Sequence, residues 1–417
     1  MERSLLIGVI LVIVCLVSPV STYTPSAISA NPSATFRSSR LTINKVRHHI
    51  RSTPEPPSDN ENNLAPVVIL LHGFTGSTES FTSIAPLLQK AGVRCVAIDR
   101  VGFGRTERPK PLTLPLPEIP GRFAIANRID PPQKKKSDDD KPSGLMGLVP
   151  TIPSVLSTTL RRPATISPRF PWRFSKYSAD PYSSDFSVST VIEVVKSLNL
   201  QGRDLYLAGH SAGGPIALRA FNEVDEAVEF KGVMLIAPAV LELEEDSDAY
   251  NQTEEDGASL PLSLRFLAFR TLLTLPDAFS IKVARRLVER DFREAVLAQT
   301  HESISEATVE EMVDKYSSPV REFPDEWDTA LLNVYRADFN AKDLVKGRKL
   351  LESAKERRKK IMVVTGDEDN VVPVRASTRV ASLLGVELDV IEKCGHLPMD
   401  ERPEELARMM IDFINDK

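Results

Sequence analysis

Ser211 lies in Gly209-His210-Ser211-Ala212-Gly213, a G-x-S-x-G pentapeptide preceded by the apolar run DLYLA and followed by a helical pattern from Pro215 to Phe221. Between a strand and a helix that spacing has a physical logic. The serine occupies a strained turn, the glycines on either side let strand and helix approach, and the hydroxyl stands clear above the sheet. The N–H of Ala212 opens the helix, where amides are unpaired and the positive end of the dipole lies. A neutral hydroxyl is a weak nucleophile and needs a base. Of six histidines, His48 and His49 fall in the N-terminal leader, His210 adjoins the serine and is expected to point away, His301 lies in a helical insert, and His72 reads as structural. His396 remains, in Cys394-Gly395-His396-Leu397-Pro398. A basic imidazole needs an orienting carboxylate, and Gly366-Asp367-Glu368-Asp369 offers three. Asp369, next to the apolar Val371-Val372-Pro373 closure, is the candidate; Asp367 and Glu368 read as solvated or capping groups. An oxyanion would be held by the N–H of Ala212 and, from the Gly-rich His72-Gly73-Phe74-Thr75-Gly76 turn, by that of Phe74; one such donor contributes about 3 kcal/mol.

The chemistry open to this set is attack of Ser211 on an ester carbonyl, with His396 moving the proton, an acyl-enzyme forming and water releasing it. No metal or organic cofactor is required, and no CxxC pair suggests zinc. The same three groups also serve a cofactor-free carbon–carbon hydrolase, lyase or perhydrolase. A non-catalytic binder that keeps the pocket is the reading from another class.

The elements that must carry these residues alternate. Apolar runs at 66–71 (PVVILL), 93–98, 204–208, 232–237, 361–365 and 387–391 read as buried strands, with helical spacing at 80–91, 186–198, 215–221, 374–384 and 403–414. Strand–helix–strand alternation demands crossovers and a parallel sheet. The predicted fold class is α/β, a mostly parallel twisted sheet flanked by helices, with its core at 63–240 and 348–417 and a helical cap at 241–347. Within the cap Leu264, Phe266, Leu267, Phe269, Leu272 and Leu273 form an apolar cluster that packs on the core or lines a pocket for a long chain. Residues 109–181, dense in proline and carrying Lys134-Lys135-Lys136 beside Asp138-Asp139-Asp140, read as a disordered insertion.

The leader has its own signature. Leu5 to Val17 is an unbroken apolar run, short for a spanning helix and suited to a signal peptide over 1–22 or an uncleaved anchor. From Ser21 to Pro54 there is no acidic residue among Arg37, Arg40, Lys45, Arg47 and Arg51. Residues 23–62 therefore read as a transit-like or disordered linker outside the fold. The pair of segments implies a bipartite leader to a plastid, or else entry to the secretory pathway, with membrane association through the apolar run as a further route. Across the chain, 52 basic against 57 acidic residues leave a charge of −5, which gives no global attraction to nucleic acid. The expected partner is a small apolar ester. Three cysteines exclude a disulfide framework.

Taken in order, HGFTGS, DRVGFGRTERP, GHSAGG, GDEDNVVP and CGHLPMDERPEE resemble the α/β-hydrolase superfamily over 65–417, apart from the Pro-rich insertion. The resemblance implies Ser211 as nucleophile, Asp369 as acid, His396 as base, Phe74 and Ala212 at the oxyanion positions, and a cap at about 241–347. Epoxide hydrolases and haloalkane dehalogenases of this fold use an Asp nucleophile, and position 211 is Ser. Asp180-Pro181-Tyr182-Ser183, GHSAGG and IAPAV further resemble the plant chlorophyll dephytylase-like branch, which cleaves a phytyl ester; the Pro-rich insertion and Gly214 depart from that pattern.

Overall fold

The computed structural model describes residues 36–56, 64–110, 180–223, 225–240, 280–281, 292–324, 326–340 and 347–416. Two compact units partition the chain, 1–112 with 174–417 and 113–173. The second falls wholly outside the described residues, as do the leader at 1–22, most of the Pro-rich insertion and the apolar cluster at 264–273. Among the described residues no helix is long and apolar enough to cross a membrane.

Eight strands form one sheet: β1 (Arg37–Ile43), β2 (Val46–Ser52), β3 (Val67–Leu71), β4 (Arg94–Ile98), β5 (Leu205–His210), β6 (Phe230–Ile236), β7 (Lys360–Gly366) and β8 (Leu388–Ile391). Their spatial order is β1-β2-β4-β3-β5-β6-β7-β8. β3 through β8 pair in parallel, as their two-sided apolar runs require. Along β3, Val67, Ile69 and Leu71 face one layer and Val68 and Leu70 the other. The first layer holds α2 (Ser184–Ser197), α3 (Gly213–Asn222), α7 (Gly347–Glu356) and α8 (Val374–Leu384). The second holds α1 (Ala85–Lys90), α10 (Pro403–Asn415) and, toward the strands' carboxyl ends, α4 (Phe292–Leu297) and α5 (Glu306–Glu322). α6 (Trp327–Asn340) packs on a third cluster with Val101, Phe103, Tyr182 and Phe186. The short α9 (Pro398–Glu401) precedes α10. Cys95 and Cys394 are both buried and unpaired.

One expectation is corrected. Residues 37–52, assigned to a linker outside the fold, form the β1–β2 hairpin, paired in full register and joined antiparallel to β4 through Ile50, Arg51 and Ser52. The burial that decides this lies in β2 and at the turn. Ile43, Val46, His48, His49 and Ile50 are buried, while Arg37, Arg40 and Arg47 stay exposed. The two-residue turn uses Asn44 (φ 48°) and Lys45 (φ 67°), the left-handed pair that matches strand twist in a tight hairpin. A buried latch fixes it to the sheet: His49 Nδ1–H donates to Asp99 Oδ2 at 2.6 Å and its Nε2 accepts from Ser38 at 3.2 Å. Asp99 also accepts the N–H groups of Thr78 and Arg105. Burial pushes its carboxyl upward, but His49 and these donors outweigh that and hold it below the ordinary carboxylate value.

Candidate active site

The chain runs outward from β3 to β4, then returns to place β5 on the other side of β3. That reversal opens a crevice at the carboxyl ends of β3 and β5, where a doubly wound sheet binds its ligands. Ser211 follows β5 there with φ 49°, a left-handed conformation that costs a non-glycine residue about 1–3 kcal/mol and persists only when the surroundings enforce it. They do: its N–H donates to Ile236 O at 2.9 Å, and its carbonyl accepts from Gly214 and Ala239. The flanking glycines are required by contact. A Cβ at Gly209 would lie 2.5 Å from Gly213 O, and one at Gly213 would lie 2.3 Å from Leu71 O.

The turn after β3 abuts the same spot, since a Cβ at Gly73 would come within 3.1 Å of Ser211 Cβ. The Phe74 ring anchors that turn, 5.4 Å from Phe103 and 4.9 Å from Tyr335 of α6, centroid to centroid. Among the described residues neither the Phe74 nor the Ala212 N–H donates to a protein acceptor.

His396 and Asp369, from the loops after β8 and β7, meet directly. Nδ1–H of His396 donates to Asp369 Oδ2 at 2.8 Å with both side chains nearly inaccessible. Asp369 Oδ1 takes the N–H groups of Val371 and Val372, so the carboxylate is held at both oxygens. The remaining acids of the loop do other work. Asp367 Oδ1 accepts the Cys394 N–H at 3.0 Å, and Glu368 lies 3.3 Å from the His301 imidazole. Ser211 stands at the same rim, but among the described residues its hydroxyl makes no hydrogen bond to His396; such bonds tighten when substrate arrives.

His210 belongs to the site as well. Its Nε2–H donates to the His396 carbonyl at 2.8 Å, and the two rings lie 4.8 Å apart. Burial, then the neighbouring His396, push its pKa well below the ordinary histidine value, so it stays neutral. His72 is structural: Nδ1–H donates to Gly73 O and Nε2 accepts from the Arg100 N–H. Sequence reasoning set His210 aside as pointing away, and nothing in the strand pattern signals a partner 186 residues distant.

A mostly parallel sheet crossed by α/β units, with a serine on a strained strand-to-helix turn at its switch point, defines an α/β hydrolase fold. The model of the alpha/beta hydrolase fold matches residues 66–403, and the chain belongs to that family. It is 26% identical over 217 residues to the uncharacterized hydrolase YugF of Bacillus subtilis (strain 168), covering 52% of this chain and 67% of that protein. To the monoacylglycerol lipase abhd6-A of Xenopus laevis it is 23% identical over 248 residues, 58% of this chain and 64% of the lipase, so it spans less than two thirds of that relative's length. Among solved structures, the 2-hydroxy-6-oxo-6-phenylhexa-2,4-dienoate hydrolase from Rhodococcus sp. strain RHA1 aligns with a TM-score of 0.52 and 17% identity over 91% of this chain and 98% of that one, a likeness of fold.

Proposed function

We propose that the protein is a serine hydrolase that cleaves a carboxylic ester with an apolar acyl or alcohol portion. The observation that carries the reading is the buried His396–Asp369 pair at 2.8 Å on the rim where Ser211 is held at φ 49°. With Nδ1–H committed to Asp369, the His396 Nε2 lone pair is the free basic position. It takes the Ser211 proton as the oxygen attacks the ester carbonyl and returns it to the departing alcohol. The N–H groups of Phe74 and Ala212 receive the oxyanion, and water, deprotonated by the same imidazole, releases the acyl group. Asp369 stabilises the imidazolium without taking its proton.

Two features support an apolar substrate. Phe74, on the turn that abuts Ser211, packs with Phe103 and Tyr335 in an apolar cluster, and a lipase is among the relatives. A fluorophosphonate probe should label the protein, and Ser211→Ala should abolish labelling; label retained by that variant refutes the assignment. A panel of p-nitrophenyl esters of rising chain length, with a phytyl ester added, reads the substrate class: turnover should rise from acetyl toward longer chains.

A further inference from the structure

The His396 loop is neither helix nor strand, yet its main-chain groups around the base are all spoken for. The Glu401 carboxylate bridges the main chain on either side of His396, taking the Gly395 N–H on Oε2 at 2.9 Å and the Leu397 N–H on Oε1 at 3.0 Å. Its Oε2 also takes the His301 N–H at 2.8 Å. Between these donors, the His396 N–H donates to Gln299 O at 2.6 Å, and the His396 carbonyl accepts from His210 Nε2–H. Four parts of the chain thus converge on one peptide: the end of β5, the 299–301 segment of the cap, the short α9 and the loop itself.

The side chains doing this are fixed in turn. Asp400, beside Glu401, accepts from the Tyr316 hydroxyl at 2.6 Å, from Ser83 at 3.3 Å and pairs with Lys315, which ties α9 to cap helix α5. Burial pushes the Glu401 carboxyl above its ordinary value against the pull of its three N–H donors. The main-chain donors offset part of the cost of burying it, and a charged acceptor makes the stronger kind of hydrogen bond to them. His210 is Ser211's chain neighbour, so the same clamp couples the nucleophile's turn to the base's loop.

We infer that Glu401 and His210 are positioning residues, which hold the His396 imidazole by its main chain as Asp369 holds it by its side chain, with the cap segment 299–301 as the opposing jaw. The inference rests on the serine-hydrolase reading for its effect on rate, because a base displaced by about 1 Å loses on the order of a hundredfold in rate.

The test uses the full chain with Glu401→Gln, His210→Phe and His210→Gln. Phe keeps a ring against His396 without a donor, whereas Gln restores an N–H. Glu401→Gln and His210→Phe should slow fluorophosphonate labelling and lower kcat on a p-nitrophenyl ester by about ten- to a hundredfold with KM unchanged. The acid limb of the kcat/KM profile should shift as well. His210→Gln should recover most of the rate. A second readout needs no turnover: the low-field proton resonance of His396 Nδ1–H on Asp369 should move or broaden in both damaging variants. If the wild type shows that resonance and the variants move it, but nothing labels, the clamp stands and the hydrolase reading fails. Wild-type labelling rates, kcat and resonance in Glu401→Gln and His210→Phe, with only a lower melting temperature, would overturn the inference.

Discussion

Gly213→Ala isolates the claim that strand–helix approach, rather than side-chain identity, places the nucleophile. The new methyl carbon would lie 2.3 Å from Leu71 O and 2.7 Å from His72 O, closer than ordinary contact by about 1 Å. Both obstacles are backbone of β3 and its exit, so neither can rotate aside. Either α3 rises from the sheet or β3 yields, and Ser211, two residues away, moves with the helix start. Overpacking of this kind costs about 1–3 kcal/mol in stability, and a nucleophile shifted by the same ångström loses about a hundredfold in rate. Gly92→Ala is the control: its φ of 86° strains any side chain, but nothing lies within 4 Å. It should lower stability by about 1–2 kcal/mol and leave labelling untouched. The assay pairs the second-order rate of fluorophosphonate labelling with urea denaturation of both variants. Gly213→Ala that folds and labels at the wild-type rate would show that the close approach is incidental.

Two further outcomes follow from the hairpin. His48 is buried against Phe186, and burial, only partly offset by the Asp99 carbonyl and the Asp99 and Glu107 charges, lowers its pKa from 6.5 to about 4. Its folded form refuses a proton that the unfolded chain accepts below 6.5, so roughly 3 kcal/mol of stability should drain away between those values; His48→Leu should lose less than wild type between pH 7 and pH 4.5 in urea titrations, and equal losses refute the point. Because Phe36, Ile43, Val46 and Ile50 are buried in the sheet, a processed leader must end before Phe36, and mass spectrometry of the mature N-terminus should find it there.

Much of the site was legible because its chemistry is local to motifs. Gly209, Ser211 and Gly213 declare a tight turn by residue type alone, and Asp369 was separable from Asp367 and Glu368 by its place against the Val371-Val372 closure, whose N–H groups now prove to be its partners. His396 emerged by elimination among six histidines, a route that works only because the chain is poor in them. What elimination passes over is the support. His210 and Glu401 meet main-chain atoms of the His396 loop, and a backbone acceptor or donor leaves no residue type in the sequence to point at.

The hairpin is hidden in the sequence for a different physical reason. An acid-free stretch rich in Arg and Ser has the composition of a linker, and composition averages over both faces of a strand. Nor does a period-two pattern mark it, because β2 is buried on both faces at His48, His49, Ile50 and Arg51, while β1 is exposed from Arg37 to Arg40. The turn signal was muted as well, since Asn44-Lys45 replaces the Asn-Gly that marks such hairpins. Arg51 turns the same composition inward: its guanidinium donates to Phe36 O and to Glu79, so a residue that counted toward a solvated leader is a buried strut of the sheet edge. The arginines of one segment thus divide between solvent and core by their place in the sheet and their partners, which no average over the segment can report.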